Sequence, residues 1–366
     1  MFFISIHSMI ELFKDLKVTE EQGSTRWKAP SNIALVKYWG KYADQIPANP
    51  SLSFTLSKCN TQTTLNYRLR SKPADDFSIE FYLDDEPKED FIPKIKTFFE
   101  RIEAYLPFLK SYDFEIRSTN SFPHSSGIAS SASGMAALAL CLLEMTVNSI
   151  EEVTTEDFYK KASFLARLGS GAGCRSIEGP LVQWCKTPSI LYSSDLFGIP
   201  YPTEVHPVFE NYQDCILIVH KGAKSVSSTL GHQLMENHPY AEQRFAQAHQ
   251  HIESLIKLFK EGDLKAFVEL VELEALSLHA MMLTSNPNFI LMKPNTLAII
   301  EKIREFRAKT GIPICFTLDA GANVHVLYPH KDAIAAFDFI LSDLVAFCEN
   351  QQYICDQLGM GAQRLS

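Results

Sequence analysis

The alternation of apolar and polar positions divides the chain into strand-rich and helix-rich parts. Short runs of β-branched and polar residues from Trp27 to Tyr67 predict strands, and Tyr112 to Ile116 predicts another. Apolar residues at helical spacing predict a helix from Ile92 to Leu106 and a longer one from Ile128 to Val147. Because strands and helices follow one another without strict alternation, we predict an α+β fold rather than a doubly wound sheet.

Helical periodicity dominates the second half of the chain. Two long helices, Ala241 to Phe259 and Asp263 to Leu283, are predicted on either side of Gly262, and a third from Thr296 to Lys309 ends at Gly311. The other predicted elements are strands at Leu181–Cys185, Cys215–Val219, Ile314–Leu318 and Val324–Leu327, a helix that is capped by Thr154 with Asp157 and stops at Gly169, and a final helix at Asp332–Cys348.

The length and one proline-rich stretch predict the domain organisation. A chain of 366 residues corresponds to about two domains at roughly 150 residues each. Prolines gather between Pro200 and Pro207, where we place the boundary. The prediction is an N-terminal extension at 1–26 with one short helix, a first domain at 27–204 and a second at 205–366.

Composition excludes several classes of protein. The net charge is −9 and no block of Lys and Arg occurs, which argues against a nucleic-acid binder. The eight cysteines show neither Cys-x-x-Cys pairs nor zinc spacing, so a reducing, cytoplasmic compartment is expected. No apolar run is long enough to span a bilayer, and the segment from Met1 to Phe13 lacks the basic start of a signal peptide. We therefore expect no membrane or nucleic-acid partner.

A Gly/Ser-rich loop from Pro123 to Gly134 leads into the long helix of the first half. Small residues let a backbone approach a ligand closely, and the helix start offers free N–H groups and a positive dipole end. The serine hydroxyls add donors and ligands for Mg²⁺. These features suit a triphosphate, although no Walker sequence is present. A flexible turn before a closely packed helix explains this segment equally well.

Two further segments carry basic residues beside glycine. Lys37 and Lys41 flank a Tyr-Trp-Gly sequence, which could serve two parts of one anionic ligand, although a surface strand with solvated lysines is the commoner explanation. The segment from Gly169 to Ser176 alternates glycines and ends with Arg175, whose planar fork suits a carboxylate or a phosphate. A plain connecting loop is the alternative for this second segment.

Two polar positions follow predicted strands. Asp319 comes directly after an apolar strand, where a carboxylate can project into a cleft as a general base, although Asp is also common in turns. A hydroxyl cluster from Val226 to Thr229 could contact a ligand, and a helix cap explains it as well.

Taken together, these segments resemble the GHMP kinase superfamily and, within it, the diphosphomevalonate decarboxylases. The phosphate loop of the superfamily matches Pro123 to Ser131, whereas Ala29 to Lys41 and Gly169 to Ser176 match strings specific to the decarboxylases. The resemblance implies a two-domain fold. An N-terminal mixed sheet with helices would face a C-terminal ferredoxin-like α/β sandwich, with the active site in the cleft between them.

The resemblance also implies roles for individual residues. Asp319 would be catalytic, with Lys37 close to it. The residues expected to bind the ATP phosphates are Ser125, Ser126, Gly127, Ala129, Ser130 and Ser131. The residues expected to bind the substrate are Tyr38, Trp39, Gly40, Lys41, Ser170, Gly171, Ala172, Gly173, Cys174, Arg175 and Thr229, together with Lys94, the nearest match to an arginine of the family. ATP and Mg²⁺ are the implied cofactors, and no residue is assigned as a metal ligand.

The implied reaction is the ATP-dependent decarboxylation of diphosphomevalonate to isopentenyl diphosphate, with release of ADP, phosphate and CO₂. Three alternatives stay open: a decarboxylase of the monophosphate, a mevalonate-type kinase, and a non-catalytic ligand sensor with the same fold. Family members are often homodimers, although no exposed apolar stripe in the sequence indicates an interface.

Overall fold

Two β-sheets and the helices packed against them form the structure. The computed structural model describes residues 6–72, 74–123, 128–147, 149, 151–222 and 226–366. The strands are β1 (Gln22–Val36), β2 (Ser51–Leu69), β3 (Ser78–Leu83), β4 (Glu86–Pro87), β5 (Tyr112–Asn120), β6 (Leu181–Trp184), β7 (Ile199–Pro200), β8 (Gln213–Leu217), β9 (Cys315–Thr317), β10 (Val324–Tyr328), β11 (Tyr353–Gln357) and β12 (Gln363–Arg364). The helices are α1 (Ile6–Phe13), α2 (Ile92–Ile102), α3 (Ser130–Glu144), α4 (Glu156–Gly169), α5 (Ser228–Gln233), α6 (Ala241–Glu261), α7 (Leu264–Thr284), α8 (Pro294–Thr310) and α9 (Ala333–Phe339). The predicted α+β class is confirmed.

The first sheet is mixed and centred on the long strand β2. Its order is β12-β1-β2-β5-β3-β4, with β6 and β7 attached to the other end of β2, and among the described residues only β3 and β5 run parallel. Helices α2, α3 and α4 bury their apolar sides against this sheet in one continuous core. The N-terminal segment joins that core, because Met9 and Phe13 of α1 are buried and Phe13 packs against Tyr105 and Phe164.

The second sheet has the order and connectivity of the expected ferredoxin-like sandwich. Its four strands run β11-β8-β10-β9 and every neighbouring pair is antiparallel. The chain enters it as β8, passes through helices to β9 and β10, and returns through α9 to β11, which is a split βαβ arrangement. Helices α8 and α9 cover one face, while α6 and α7 pack between the other face and strands β1 and β2.

Most predicted elements of the second half are confirmed with close boundaries. Gly262 separates α6 from α7, and the Asp263 carboxylate caps α7 by accepting a hydrogen bond from the Ala266 amide at 3.0 Å. Gly311 ends α8. No helix in the described part of the chain is long and apolar enough to cross a membrane.

Two local predictions are wrong. The cap of α4 is Thr155 rather than Thr154, because residues 152–154 form a 3₁₀ turn and Thr155 is the first extended residue behind it. The final helix is α-helical only to Phe339 and continues as a π turn over 340–344 and a 3₁₀ turn over 345–347. The Ser342 hydroxyl bonds to the Asp338 carbonyl there. The wider turn lets the adjacent pairs 339/340 and 344/345 all face the core.

The last residues of the chain return from the second sheet to the first, so the chain connects the two sheets a second time. Strand β12 pairs with β1, and the Arg364 guanidinium donates to buried Glu144 at 2.6 Å. The same carboxylate accepts the indole N–H of Trp27 at 2.5 Å. The boundary proposed near residue 204 stays a prediction.

A buried carboxylate on β11 binds backbone N–H groups in the middle of β2, where the pairing with β1 is irregular. The pairing of β1 with β2 jumps there, so residues 56–59 have no partner on β1. Asp356 accepts the backbone N–H groups of Ser57, Lys58 and Cys59 at 2.9, 2.9 and 2.7 Å. It is only 3% exposed, so these bonds replace water that the amides would otherwise bind.

Replacing Asp356 should therefore destabilise the whole fold. Asp356→Ala leaves three backbone N–H groups without their acceptor, of which that of Cys59 is buried, and should lower the free energy of unfolding by about 3 kcal/mol. Asp356→Asn keeps one acceptor oxygen and should lose roughly half as much. Urea unfolding of both variants measures the effect, and a loss below about 0.5 kcal/mol for the alanine variant, the range of ordinary surface substitutions, would contradict this role.

Candidate active site

One cleft of about 550 Å³ collects most of the residues singled out in the sequence. Its walls come from the end of β1, the start of α3, the loop after α4, helix α5 and the turn after β9. The predicted residues that line it are Lys37, Tyr38, Trp39, Lys41, Lys94, Ala129, Ser130, Ser131, Ser170, Gly171, Ala172, Arg175, Thr229 and Asp319. Ser125, Ser126 and Gly127 lie outside the described residues.

A buried ion pair lies in this cleft. The Lys37 ammonium, one residue beyond β1, is 3.0 Å from Asp319, and the Lys37 side chain is 2% exposed. Burial lowers the pKa of Lys37 from its usual value, and the Asp319 carboxylate offsets part of that change. The Asp319 side chain keeps 26% of its surface exposed, so a ligand in the cleft can reach it.

Helix α7 holds the backbone of both partners of this pair. Glu274 accepts the Lys37 amide N–H at 2.8 Å. Five positions later, His279 donates from Nε2 to the Asp319 carbonyl oxygen at 3.1 Å. One rigid helix therefore fixes the separation of two residues that are 282 positions apart in the chain.

Glu274 is itself held by cationic and polar groups on α6. Arg244 makes a two-pronged contact with its carboxylate, and His251 bonds to it through Nδ1. Burial alone would raise the pKa of Glu274, but the bonds from His251, Arg244 and the Lys37 amide lower it overall. Sequence reasoning missed this residue; the only signal was an acidic side chain on a helix face that is otherwise apolar.

Arg175 is the most unusual cation in the cleft. It is only 4% exposed, yet its Nε and Nη1 atoms have no hydrogen-bond partner among the residues that the structure describes. The buried Tyr38 hydroxyl shares both properties. Burial lowers the pKa of Arg175, although a guanidinium keeps its charge in proteins. Unpaired buried donors of this kind are rare, and they call for an anionic ligand.

The two Gly/Ser-rich segments meet at the start of α3. The hydroxyl groups of Ser131 and Ser170 lie 3.3 Å apart. Ala129, directly before the helix, has a left-handed backbone with φ of 45°, which is uncommon for a residue with a side chain. The helix behind it runs 15 residues to Glu144, so its N-terminal amides and dipole point at the cleft.

Three predicted substrate contacts lie behind the cleft wall instead of on it. Gly40 has φ of +101°, and its amide donates to His232. A side chain at Gly173 would come within 2.9 Å of the Ala166 carbonyl oxygen, so this glycine lets its loop pack closely against α4. Cys174 is buried, which raises the pKa of its thiol to about 12, and it bonds to the backbone. These residues shape the loop.

One end of the cleft is locally cationic. The Lys41 ammonium donates to Gln45 at 2.8 Å. Burial, followed by the nearby charges of Arg101 and Lys94, lowers the pKa of Lys41. An acidic protein therefore concentrates positive charge where a polyanion would enter. Neither Gln45 nor Arg101 was predicted from the sequence.

Another part of the cleft is lined by aromatic and other apolar side chains. Phe81 and Phe91 stack with ring centres 5.1 Å apart, and Ser118 and Asn120 supply polar groups beside them. An aromatic slot with a polar edge suits a nucleobase. At the start of α5, Ser227 caps the helix by accepting the Leu230 amide, and both Ser227 and Thr229 line the cleft.

Known proteins share this arrangement over most of the chain. Residues 29–195 match the model of the diphosphomevalonate decarboxylase-like N-terminal domain, and residues 215–363 match that of the mevalonate 5-diphosphate decarboxylase C-terminal domain. The diphosphomevalonate decarboxylase of Ganoderma lucidum is 31% identical over 323 residues, which cover 84% of this chain and 78% of the relative.

Solved structures of this family have the same fold as this chain. The mevalonate diphosphate decarboxylase of Staphylococcus aureus superposes with a TM-score of 0.80 at 27% identity, covering 96% of this chain and all of the other. A second structure, of MDDEF in complex with MVAPP, AMPPCP and magnesium, gives a TM-score of 0.79 at 29% identity, with 94% and 99% of the two chains covered. Sequence and structure together show that the chain belongs to the diphosphomevalonate decarboxylase family.

Proposed function

We propose that this protein catalyses the ATP-dependent decarboxylation of (R)-5-diphosphomevalonate to isopentenyl diphosphate, with release of ADP, phosphate and CO₂. The observation that carries the proposal is the buried Arg175 guanidinium with unpaired N–H groups in the cleft that holds the Lys37–Asp319 pair. A carboxylate for the guanidinium and a hydroxyl for Asp319 are two groups that this substrate carries close together.

The cleft has side chains that could bind each end of the substrate. Arg175 would hold the carboxylate with its planar fork, and Asp319 would face the 3-hydroxyl. Lys41 and Lys94, at the cationic end of the cleft, would bind the diphosphate. Binding energy from the diphosphate would thus orient the distant reacting carbon.

The nucleotide would occupy the rest of the cleft. The start of α3, with Ser130 and Ser131, would receive the phosphates, and the Phe81–Phe91 stack would receive the base. Mg²⁺ prefers oxygen ligands and keeps several waters, and when bound it would neutralise phosphate charge. Hydroxyls such as that of Ser131 fit such an ion, and the described residues hold no cluster of His, Cys, Asp and Glu that could bind it alone.

The residues then account for the sequence of bond changes. Asp319 accepts the proton of the 3-hydroxyl, and the oxygen attacks the γ-phosphorus of ATP, releasing ADP. The C3–O bond of the new phosphate ester then breaks, and phosphate leaves with the bonding electrons. As positive charge builds at C3, the C–C bond to the carboxylate breaks and its electrons form the double bond. Lys37 orients Asp319, while Arg175 keeps the carboxylate aligned until CO₂ departs.

A product assay tests this function against its alternatives. The protein should be incubated with ATP, Mg²⁺ and each mevalonate phosphate while ADP and CO₂ are measured. We expect equal amounts of CO₂ and ADP, and a higher kcat/KM for the diphosphate than for the monophosphate because Lys41 and Lys94 gain an extra charge to bind. ADP without CO₂ would instead identify a kinase, and neither product would indicate a sensor. A preference for the monophosphate would identify a different decarboxylase.

Arg175→Lys should impair catalysis although the charge is kept. A lysine offers a single point of contact where the guanidinium offers two parallel N–H groups, so we expect a loss of roughly 1.5–3 kcal/mol in transition-state binding. That corresponds to about 10- to 150-fold in kcat/KM. Arg26→Lys, at an exposed position outside the cleft, is the matched control. Near-normal kcat/KM in the Arg175 variant would remove this residue from substrate binding.

A further inference from the structure

His232 lines the cleft, although no sequence pattern singled it out. It lies in α5, and its ring packs against two aromatic side chains of the segment after β1. The ring centres are 4.3 Å from Tyr38 and 4.7 Å from Trp39. The residue is only 9% exposed, and the surface that remains lines the cleft. The ring is therefore held rigidly at the wall of the site.

The hydrogen bonding of the ring defines which nitrogen carries the proton. The Gly40 amide donates to Nδ1 at 2.9 Å, so Nδ1 acts as an acceptor. Burial, and then the charges of Lys41 and Arg175, lower the pKa of His232 to about 3. The ring is neutral at physiological pH, and its single proton is on Nε2. This N–H has no hydrogen-bond partner within the described residues.

The position of the ring indicates what the free N–H meets. Gly40, which holds the ring, is followed directly by Lys41 at the cationic end of the cleft. The carboxylate side has its own donors in Arg175. The charge of Lys41 acts on the ring more strongly than that of Arg175. A neutral donor near Lys41 adds a hydrogen bond for an anion without adding repulsion between cations.

We propose that His232 donates its Nε2–H to an oxygen of the substrate diphosphate and so favours a diphosphate ester over a monophosphate ester. This inference rests on the proposed function, because it assumes that the phosphorylated end of the substrate occupies the Lys41 end of the cleft. His232 would be a binding residue that acts on ground-state affinity and leaves the bond-breaking steps to Asp319 and Arg175.

Two amide substitutions separate this role from a structural one. An Asn amide extends about as far as Nδ1, so His232→Asn can still accept the Gly40 N–H but loses the outer donor. A Gln amide is one methylene longer and places an N–H group near the Nε2 position, so His232→Gln keeps a donor and loses the inner acceptor. A residue that only fixes the Gly40 backbone should tolerate Asn better, whereas a phosphate donor should tolerate Gln better.

Binding measured without turnover gives the test. Isothermal titration of the intact protein with isopentenyl diphosphate, and separately with isopentenyl monophosphate, needs no ATP and no catalysis. We expect His232→Asn to weaken diphosphate binding roughly ten-fold, the worth of one hydrogen bond to a charged group, and monophosphate binding much less. His232→Gln should stay within about three-fold of the unsubstituted protein for both ligands. His249→Gln, a histidine on α6 outside the cleft, serves as the control, and thermal melting checks each fold.

The outcomes are distinct. A larger loss in the Gln variant than in the Asn variant, or equal losses for the two ligands, would overturn the proposal. Diphosphate affinity unchanged in a folded His232→Asn protein would do so as well, even if the unsubstituted enzyme releases CO₂. Conversely, an unsubstituted protein that binds isopentenyl diphosphate through His232 but releases no CO₂ would refute the proposed reaction and leave this inference standing. Failure of the unsubstituted protein to bind the diphosphate would overturn both.

Discussion

The buried ion pair between Lys37 and Asp319 is the contact on which the rest of the site depends. It joins the end of a strand in the first sheet to a turn of the second, so it forms only when both sheets are in place. Removing an ammonium group from water costs free energy, and the attraction to a single nearby carboxylate seldom offsets that desolvation cost. We therefore attribute the pair to chemistry rather than stability. The supporting bonds from Glu274 and His279 on α7 fit that view, because they hold the backbones of Lys37 and Asp319 in place.

The second feature of the site is the contrast between global and local charge. The chain carries a net charge of −9, yet Lys41, Lys94 and Arg175 all face one cleft. Burial lowers the pKa of Lys41 and of Arg175, so both cations are held there at an energetic cost. In the proposed function, an anionic ligand would offset that cost, and neutral donors such as Tyr38 and His232 would add selectivity without further repulsion.

Sequence reasoning worked where the signal is local. The long helices α6, α7 and α8 and the strands around Asp319 carry their own periodicity and end signals, and they are found close to where they were predicted. The final helix was only partly predictable, because its π turn depends on packing against core residues from other parts of the chain. A local turn signal also left the role of Asp319 ambiguous, and its contact with Lys37, 282 positions away in the chain, could not be predicted from that signal.

Three of the residues that sequence reasoning missed share one property. Glu274, His232 and Asp356 are polar side chains whose partners come from distant parts of the chain. Nothing in their immediate neighbours distinguishes them from ordinary helix or strand residues. Conversely, Gly173 and Cys174 lie within a family motif but do not line the cleft. Gly173 lets the loop pack closely against α4, and Cys174 bonds to the backbone within the loop. A motif thus marks a site without separating contact residues from the residues that shape it.

A double-mutant cycle on Lys37 and Asp319 tests the central claim most directly. The rates of ADP and CO₂ release should be measured for Lys37→Met, Asp319→Asn and the double variant, with thermal melting and ATP binding to confirm that each is folded. If the pair acts as one unit around a general base, Asp319→Asn should lose about 10²–10⁴-fold in kcat, and the double variant should be hardly slower than that single variant. Losses that multiply, or a folded Asp319→Asn protein that keeps more than about a tenth of normal turnover, would contradict the account.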